Sequence, residues 1–271
     1  MPGDTESTEL LSLTRGLRNA VETAQLYGEE EFSAALSPAS VRVSAPAHIS
    51  LSAPIRAPIL SQFAPPSPAL SAEKKKKLEA LYQKYSGCTM CPLSAGRTKI
   101  VFGVGSVDLK VLFIGEGPGF DEDKQGFPFV GKAGQLLDKI MQSIGLNRNA
   151  NAYIANVVKC HPMKDASRPD MRGNDRPPTP EEMSACREIL DQQIEILDPP
   201  VICVLGASAA RAMLNTTEGI TALRGRIFDF KFPVSGKTVP LLPTYHPAAL
   251  LRNELLKKDV WQDMKLLRTY L

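Results

Sequence analysis

The residues of this chain best suited to chemistry are a carboxylate in a glycine loop, an imidazole at a strand end and a set of cysteines. Gly115-Glu-Gly-Pro-Gly119 places Glu116 among three glycines and a proline, directly after the apolar run Val111-Leu-Phe-Ile114. Glycine allows positive backbone torsions and close approach of a ligand to the main chain, and amides at a helix start attract electronegative groups. The glycines alone fit a tight turn equally well; Glu116 and Gly117 become candidates because a carboxylate here adds little to packing. The loop is not a phosphate cradle, being neither G-x-G-x-x-G nor a Walker sequence. Pro243-Thr-Tyr-His246-Pro247 holds an imidazole between a strand end and a proline. Such rigid placement suits a donor to developing negative charge, beside the plainer reading of a turn-capping histidine. In the adjoining Ala249-Leu250-Leu251-Arg252, unusually apolar for an exposed loop, Leu250 and Leu251 are candidates to wedge into a duplex and Arg252 to hold a phosphate.

Cys88-x-x-Cys91-Pro92 is a chelate-type pair, and Cys160 and Cys186 stand singly further on. A thiolate quartet holds zinc or an iron–sulfur cluster, and one C-x-x-C joined to two distant cysteines suits a cluster somewhat better than a compact zinc ribbon. A chain with no metal stays open at this point. Cys203 lies in an apolar strand and reads as a small buried hydrophobe.

The elements that must position these groups follow from periodicity. The sequence predicts a charged helix over 73–85, strands over 111–114, 152–158, 201–205 and 239–242, and helices over 133–144, 181–197, 207–214 and 255–270. Alternating strands and helices imply a parallel sheet covered on both faces. Right-handed crossovers then gather the strand ends on one edge, so the glycine loop, the residues after Val158, Gly206 and the segment after Leu242 should share a rim.

The 271 residues, 43% hydrophobic, suffice for one substantial core with an appendage. Residues 1–32 carry Leu10, Leu11, Leu13, Leu17, Val21 and Ala24 at spacings that suit one amphipathic helix. Residues 33–72 are rich in Ala, Ser and Pro and read as a flexible linker, and the compact domain spans 73–271. The extension reads either as a docking helix for an unknown protein or as a dispensable tail. A net charge of +3 permits a nucleic-acid partner without demanding one. No run approaches the roughly 20 apolar residues of a membrane span, and no secretory leader pattern is seen. The expectation is a cytoplasmic protein, monomeric by default.

Taken together, Gly115-Glu-Gly-Pro-Gly119, Gly126-Phe-Pro-Phe-Val-Gly-Lys-Ala-Gly134, Asn156-Val-Val-Lys-Cys160, Leu223-Arg-Gly225 and Thr244-Tyr-His-Pro247 resemble the iron–sulfur, family-four uracil-DNA glycosylases over about residues 75–271. The resemblance implies a three-layer α/β/α fold with a central four-stranded parallel sheet, and removal of uracil from DNA. It implies a structural 4Fe-4S cluster on Cys88, Cys91, Cys160 and Cys186. It also places Phe129 at the family's base-stacking position and Glu122 at a carboxylate near the base pocket. Physical argument adds Asn156, whose amide suits the uracil edge, and makes His246 the donor to the departing pyrimidine. Glu116 is left to place water or negative charge near the sugar. The alternative is a non-catalytic or covalently trapping uracil-DNA or polymerase-associated module with the same fold and cluster. The chain departs from the family in a long loop between Cys160 and Cys186. That loop holds His161, Lys164, Arg168, Arg172 and Arg176, and reads as a solvated insertion or a DNA contact.

Overall fold

The computed structural model describes residues 68–271. The expected helix over 1–32 and the linker through residue 67 lie outside the described residues. Helix α1 (Pro68–Tyr85) starts inside the stretch expected to be linker. It buries Ser71, Leu78, Leu81 and Tyr85, a stripe at helical spacing. Lys74 Nζ donates to the Leu197 carbonyl at 2.7 Å, and Tyr85 Oη to Glu188 at 2.7 Å. These contacts seat α1 on helix α4 (Pro180–Leu197).

Among the described residues the strands form one six-stranded sheet in the order β1-β3-β2-β4-β6-β5. Its inner strands are β3 (Ala152–Asn156), β2 (Val111–Gly115), β4 (Ile202–Leu205) and β6 (Thr238–Thr244), all mutually parallel as the alternation predicts. Two short antiparallel strands extend the edges, β1 (Val104–Gly105) on β3 and β5 (Phe228–Lys231) on β6. Every residue of β2, β3 and β4 is buried, because helices cover both faces.

Alternate residues feed two cores. Leu112, Ile114, Ile202 and Val204 join α1, α4 and α5 (Ala207–Leu214). Val111, Phe113, Cys203 and Leu205 join α3 (Lys132–Ser143), α7 (Pro247–Arg252) and α8 (Leu256–Arg268). Cys203 is thus a core residue, as its apolar strand implies. Short helices α2 (Phe120–Gln125) and α6 (Ile220–Leu223) complete the body.

The register sets Gly115 opposite Asn156 and Leu205 opposite Thr244, so the carboxyl ends of the inner strands stop level at one rim. The chain beyond β6 turns into α7, and this corrects one expectation. Leu250 is fully buried in the second core, whereas Leu251 is 50% exposed. Consecutive residues on a helix lie about 100° apart, so when one side chain enters the core the next turns to solvent. Leu250 is therefore a packing residue and not a surface wedge. Leu250→Ala should cost about 2–5 kcal/mol of stability, and Leu251→Ala well under half of that. Urea midpoints of the two variants check the difference.

Candidate active site

At the rim the loops enclose a cleft of about 610 Å³. Its wall includes Glu116, Gly117 and Glu122 of the glycine loop, Phe129, Asn156, and His246 with Arg252. Glu116 leaves the end of β2 with its carbonyl fixed by Val158 N at 3.1 Å, while Gly115 O accepts from Val157 N at 2.9 Å. Among the described residues its carboxylate has no hydrogen bond or ion pair, so it stands in the cleft unengaged. Gly117 is pressed against the segment after β3, where an added Cβ would meet Val158 Cγ2 at 2.7 Å.

Glu122 lines the cleft but works as a brace. Its Oε1 accepts from Val130 N at 3.0 Å and Gly131 N at 3.1 Å, and Oε2 from Gly119 N at 3.2 Å. One carboxylate thereby joins the glycine loop to the loop that carries Phe129. That residue has φ +53°, a left-handed conformation costly for an aromatic side chain. Arg148 holds it there. Its guanidinium donates to the carbonyls of Pro128 at 3.1 Å and Phe129 at 3.0 Å, and Asp138 anchors Nε at 2.7 Å. Gly134 lets the Phe129 carbonyl approach, since any Cβ there would overlap it.

The Phe129 ring lies over the strand ends, its centroid 5.4 Å from that of His246, the planes inclined by 31°. A Cβ at Gly115 would fall 2.7 Å from the ring and 2.5 Å from Asn156 Oδ1, so glycine here lets an aromatic face and an amide meet. Asn156 is 1% exposed, and its Oδ1 has no hydrogen-bond partner within the described protein. An unmatched buried acceptor costs about 1–3 kcal/mol, which marks this oxygen as one shaped for a donor from outside the chain.

His246 caps α7, with Nδ1 accepting from Ala248 N at 3.1 Å. That bond puts the proton of a neutral ring on Nε2. Burial, and secondarily the charge of Arg252, holds the imidazole pKa down to about 4, so the ring is a neutral donor at physiological pH. Gly206, at φ +90°, packs against it; a Cβ would lie 3.0 Å from His246 Cβ. The cleft thus combines a flat aromatic wall, an amide edge, a neutral N–H donor and an open carboxylate. That set can bind a planar heterocycle, stabilise negative charge on it and direct water or negative charge to its other side.

A profile of the Uracil DNA glycosylase superfamily matches residues 102–265, more than half of the chain. The chain belongs to the uracil-DNA glycosylase superfamily. It is 40% identical over 201 residues to a Type-4 uracil-DNA glycosylase of Thermotoga maritima, a match covering 73% of this chain and 96% of that protein. A Type-4 uracil-DNA glycosylase of Archaeoglobus fulgidus is 37% identical over 194 residues, covering 70% and 91%. One from Sulfurisphaera tokodaii is 37% identical over 196 residues, covering 70% and 83%.

In this superfamily member Cys88, Cys91, Cys160 and Cys186 all line a second cavity. Arg97 Nη1 donates to the Cys88 carbonyl at 2.5 Å and to Cys160 Sγ at 3.4 Å, and Lys159 N donates to Cys186 Sγ at 3.3 Å. Burial pushes the Cys160 thiol up to about 11 and raises Cys186 as well. These sulfurs keep their protons unless an electropositive group displaces them. Among the described residues no three His, Cys, Asp or Glu side chains are gathered around a single-ion position. Four thiols around one void, with two cations beside them, suit the charge of an anionic cluster, so the donor set fits an iron–sulfur group.

One feature of the glycosylase-family site escaped the sequence, and a second was left open between two readings. Asp263, buried on α8, accepts from Thr244 Oγ1 at 2.6 Å and from Arg224 at 2.6 and 3.0 Å, which anchors the residues leading to His246. Arg224 of the Leu223-Arg-Gly225 motif also lies 5.5 Å from the Tyr245 ring centroid. The only sequence signal was that motif, without a partner named. The second is the Cys160–Cys186 loop, which folds back as a hairpin with Met163 bridged to Asp175. It is not simply solvated, because Arg172, Gly173, Asp175 and Arg176 wall the cleft. His161 is buried, bonded to Asp175 at 2.7 Å, and Arg176 pairs with Glu182 at 2.6 Å. Lys164 and Arg168 are exposed.

The His246 shift has a solution consequence. Between its ordinary value of 6.5 and about 4, the unfolded chain takes up a proton that the folded protein refuses, so this group's contribution to stability is lost as pH falls through that window. Replacing His246 by Gln should flatten that part of the stability curve, read from urea midpoints at pH 7 and pH 4.5.

Proposed function

We propose that the protein removes uracil from DNA, hydrolysing the N-glycosidic bond and leaving an abasic site, the opening step of base excision repair. The observation that carries this is the meeting of Glu116, Phe129, Asn156 and His246 in one cleft, with an unmatched amide oxygen and a neutral imidazole. A deoxyuridine must leave the helix at a cost of a few kcal/mol. Stacking on Phe129, about 1–3 kcal/mol per base, offsets much of that. Asn156 reads the pyrimidine edge: Oδ1 accepts the N3–H that uracil offers and cytosine lacks. As the bond breaks, negative charge grows on the base and positive charge on the sugar. His246 Nε2–H donates to a pyrimidine oxygen, and Glu116 faces the cationic sugar or the attacking water.

Glu122 acts on the base pocket through the loop it braces, and thymine's methyl group is excluded by the shape of that loop. Arg252 contacts a phosphate, and Leu251, the exposed member of its pair, meets the duplex. The four cysteines hold a 4Fe-4S cluster that supplies a rigid cross-link and no redox step. No described helix is long and apolar enough to cross a membrane. We read the enzyme as a cytoplasmic monomer, with residues 1–32 left to engage a protein partner.

The deciding experiment is uracil release from a uracil-containing oligonucleotide. The protein should liberate free uracil, and His246→Ala should slow release by about a hundredfold or more, as for other transition-state donors. Tight binding without release would make it a non-catalytic module. The cluster is checked separately by colour and metal content. Protein purified without oxygen should be brown with about four iron atoms per chain, and Cys186→Ser should bleach it and lower its melting temperature. A colourless preparation containing zinc would remove the cluster.

A further inference from the structure

The hairpin over residues 162–176 brings to the mouth of the cleft a surface that uracil binding and bond cleavage do not use. Asn174, fully buried, holds the hairpin in shape. Its Nδ2 donates to the carbonyls of Asp165 at 2.7 Å and Arg168 at 3.1 Å, and its Oδ1 accepts from Asp165 N at 2.9 Å. Arg172 then reaches over to α2, where Asp121 accepts from Nη2 at 2.8 Å and Nη1 at 3.4 Å. Its guanidinium lies over the Phe120 ring, 4.5 Å from the centroid, and Lys124 of α2 pairs with Asp170 of the hairpin. Phe120 and Arg172 both line the cleft.

The Arg172 side chain is 71% exposed, and an ion pair this open contributes little to stability. Asp121 offsets the positive charge, which weakens attraction to a phosphate. What remains is geometry: the centre of the guanidinium sits over a ring, an edge is held by a carboxylate, and most of the side chain is open to solvent. Guanidinium planes and aromatic rings are the surfaces on which unpaired bases stack.

We propose that the Arg172–Phe120 stack is a platform for the nucleobase next to the everted one. This rests on the uracil-removal reading and adds the kind of DNA that the cleft prefers. The strand is gripped at two neighbouring bases, one against Phe129 inside the cleft and one on Arg172 at its mouth. A base reaches the platform only when it has left a duplex stack, so the site favours single-stranded or locally unpaired DNA. Every base has a π-face, so the neighbour's identity matters little.

The test uses a single-stranded oligonucleotide with one uracil, an abasic spacer placed on either side of it in turn, and uracil release measured as KM and kcat. Arg172→Ala should raise KM about tenfold, the scale of losing one stacked base. A spacer on one side, and not the other, should do the same to the wild type. Variant and spacer together should raise KM no further than either alone. Arg172→Lys keeps the charge and loses the plane, so it should behave like Arg172→Ala. Wild-type KM in Arg172→Lys, or losses that multiply, would show that Arg172 does not carry a base and would overturn the platform alone. A wild type that releases no uracil from any of these strands would overturn the uracil reading and the platform with it.

Discussion

Everything at this site hangs on the register of four parallel strands. Backbone hydrogen bonding sets Gly115 level with Asn156 and Leu205 level with Thr244. Because the strands end together, each connecting loop begins at the same height, and side chains over a hundred residues apart in sequence face one space. A slip of one residue would turn every side chain of the strand to the opposite face. Two cores, one on each face, oppose such a slip: Leu112 and Ile114 belong to one, Val111 and Phe113 to the other. The precision of the cleft is therefore inherited from packing far below it.

The loops add a second requirement, that backbone come unusually close to backbone. Gly115, Gly117 and Gly134 stand where a Cβ would strike Asn156 and Phe129, Val158, or the Phe129 carbonyl. Close approach alone would leave Phe129 free to relax from its left-handed conformation. Arg148 and Glu122 prevent this from opposite sides, one by donating to the carbonyls of 128 and 129, the other by accepting from the amides of 130 and 131. Two charged groups thus shape the wall by holding the backbone on either side of the stacking residue.

What could be read in advance follows from the range of the forces involved. The buried inner strands show as apolar runs, and α5 appears at its sequence-predicted limits, because burial on both faces or along a stripe leaves a local pattern. β1 is two residues long, Val104 and Gly105, too short for any periodicity, and exists because β3 offers it a partner. β5 depends on a turn at Gly236, φ +71°, and on β6. The glycine loop and His246 were visible because their residue types fit packing poorly. Leu250 misled for the opposite reason: an apolar residue beside Arg252 looks like a surface wedge until the helix phase is known. The hairpin's shape is not legible either, since it is closed largely by backbone bonds and by one buried side chain, Asn174, whose partners are backbone carbonyls and an amide that carry no residue identity.

The cysteine cavity and the cleft share a single short segment. Asn156 stands in the cleft wall and Cys160, four positions on, in the cavity wall. Between them, Val157 and Val158 donate to the carbonyls of Gly115 and Glu116. Lys159, fully buried, bonds Cys186 Sγ through its amide and the Asn156 carbonyl through Nζ at 2.7 Å. The segment is thus stitched on one side to the glycine loop and on the other to the cysteines. A group holding Cys88, Cys91, Cys160 and Cys186 would join the turn after α1, the end of β3 and the middle of α4. It would immobilise the strand end from which Asn156 projects. Hydrogen-bond recognition tolerates only a few tenths of an ångström, and an amide that must discriminate at that tolerance has to grow from a segment fixed at both ends.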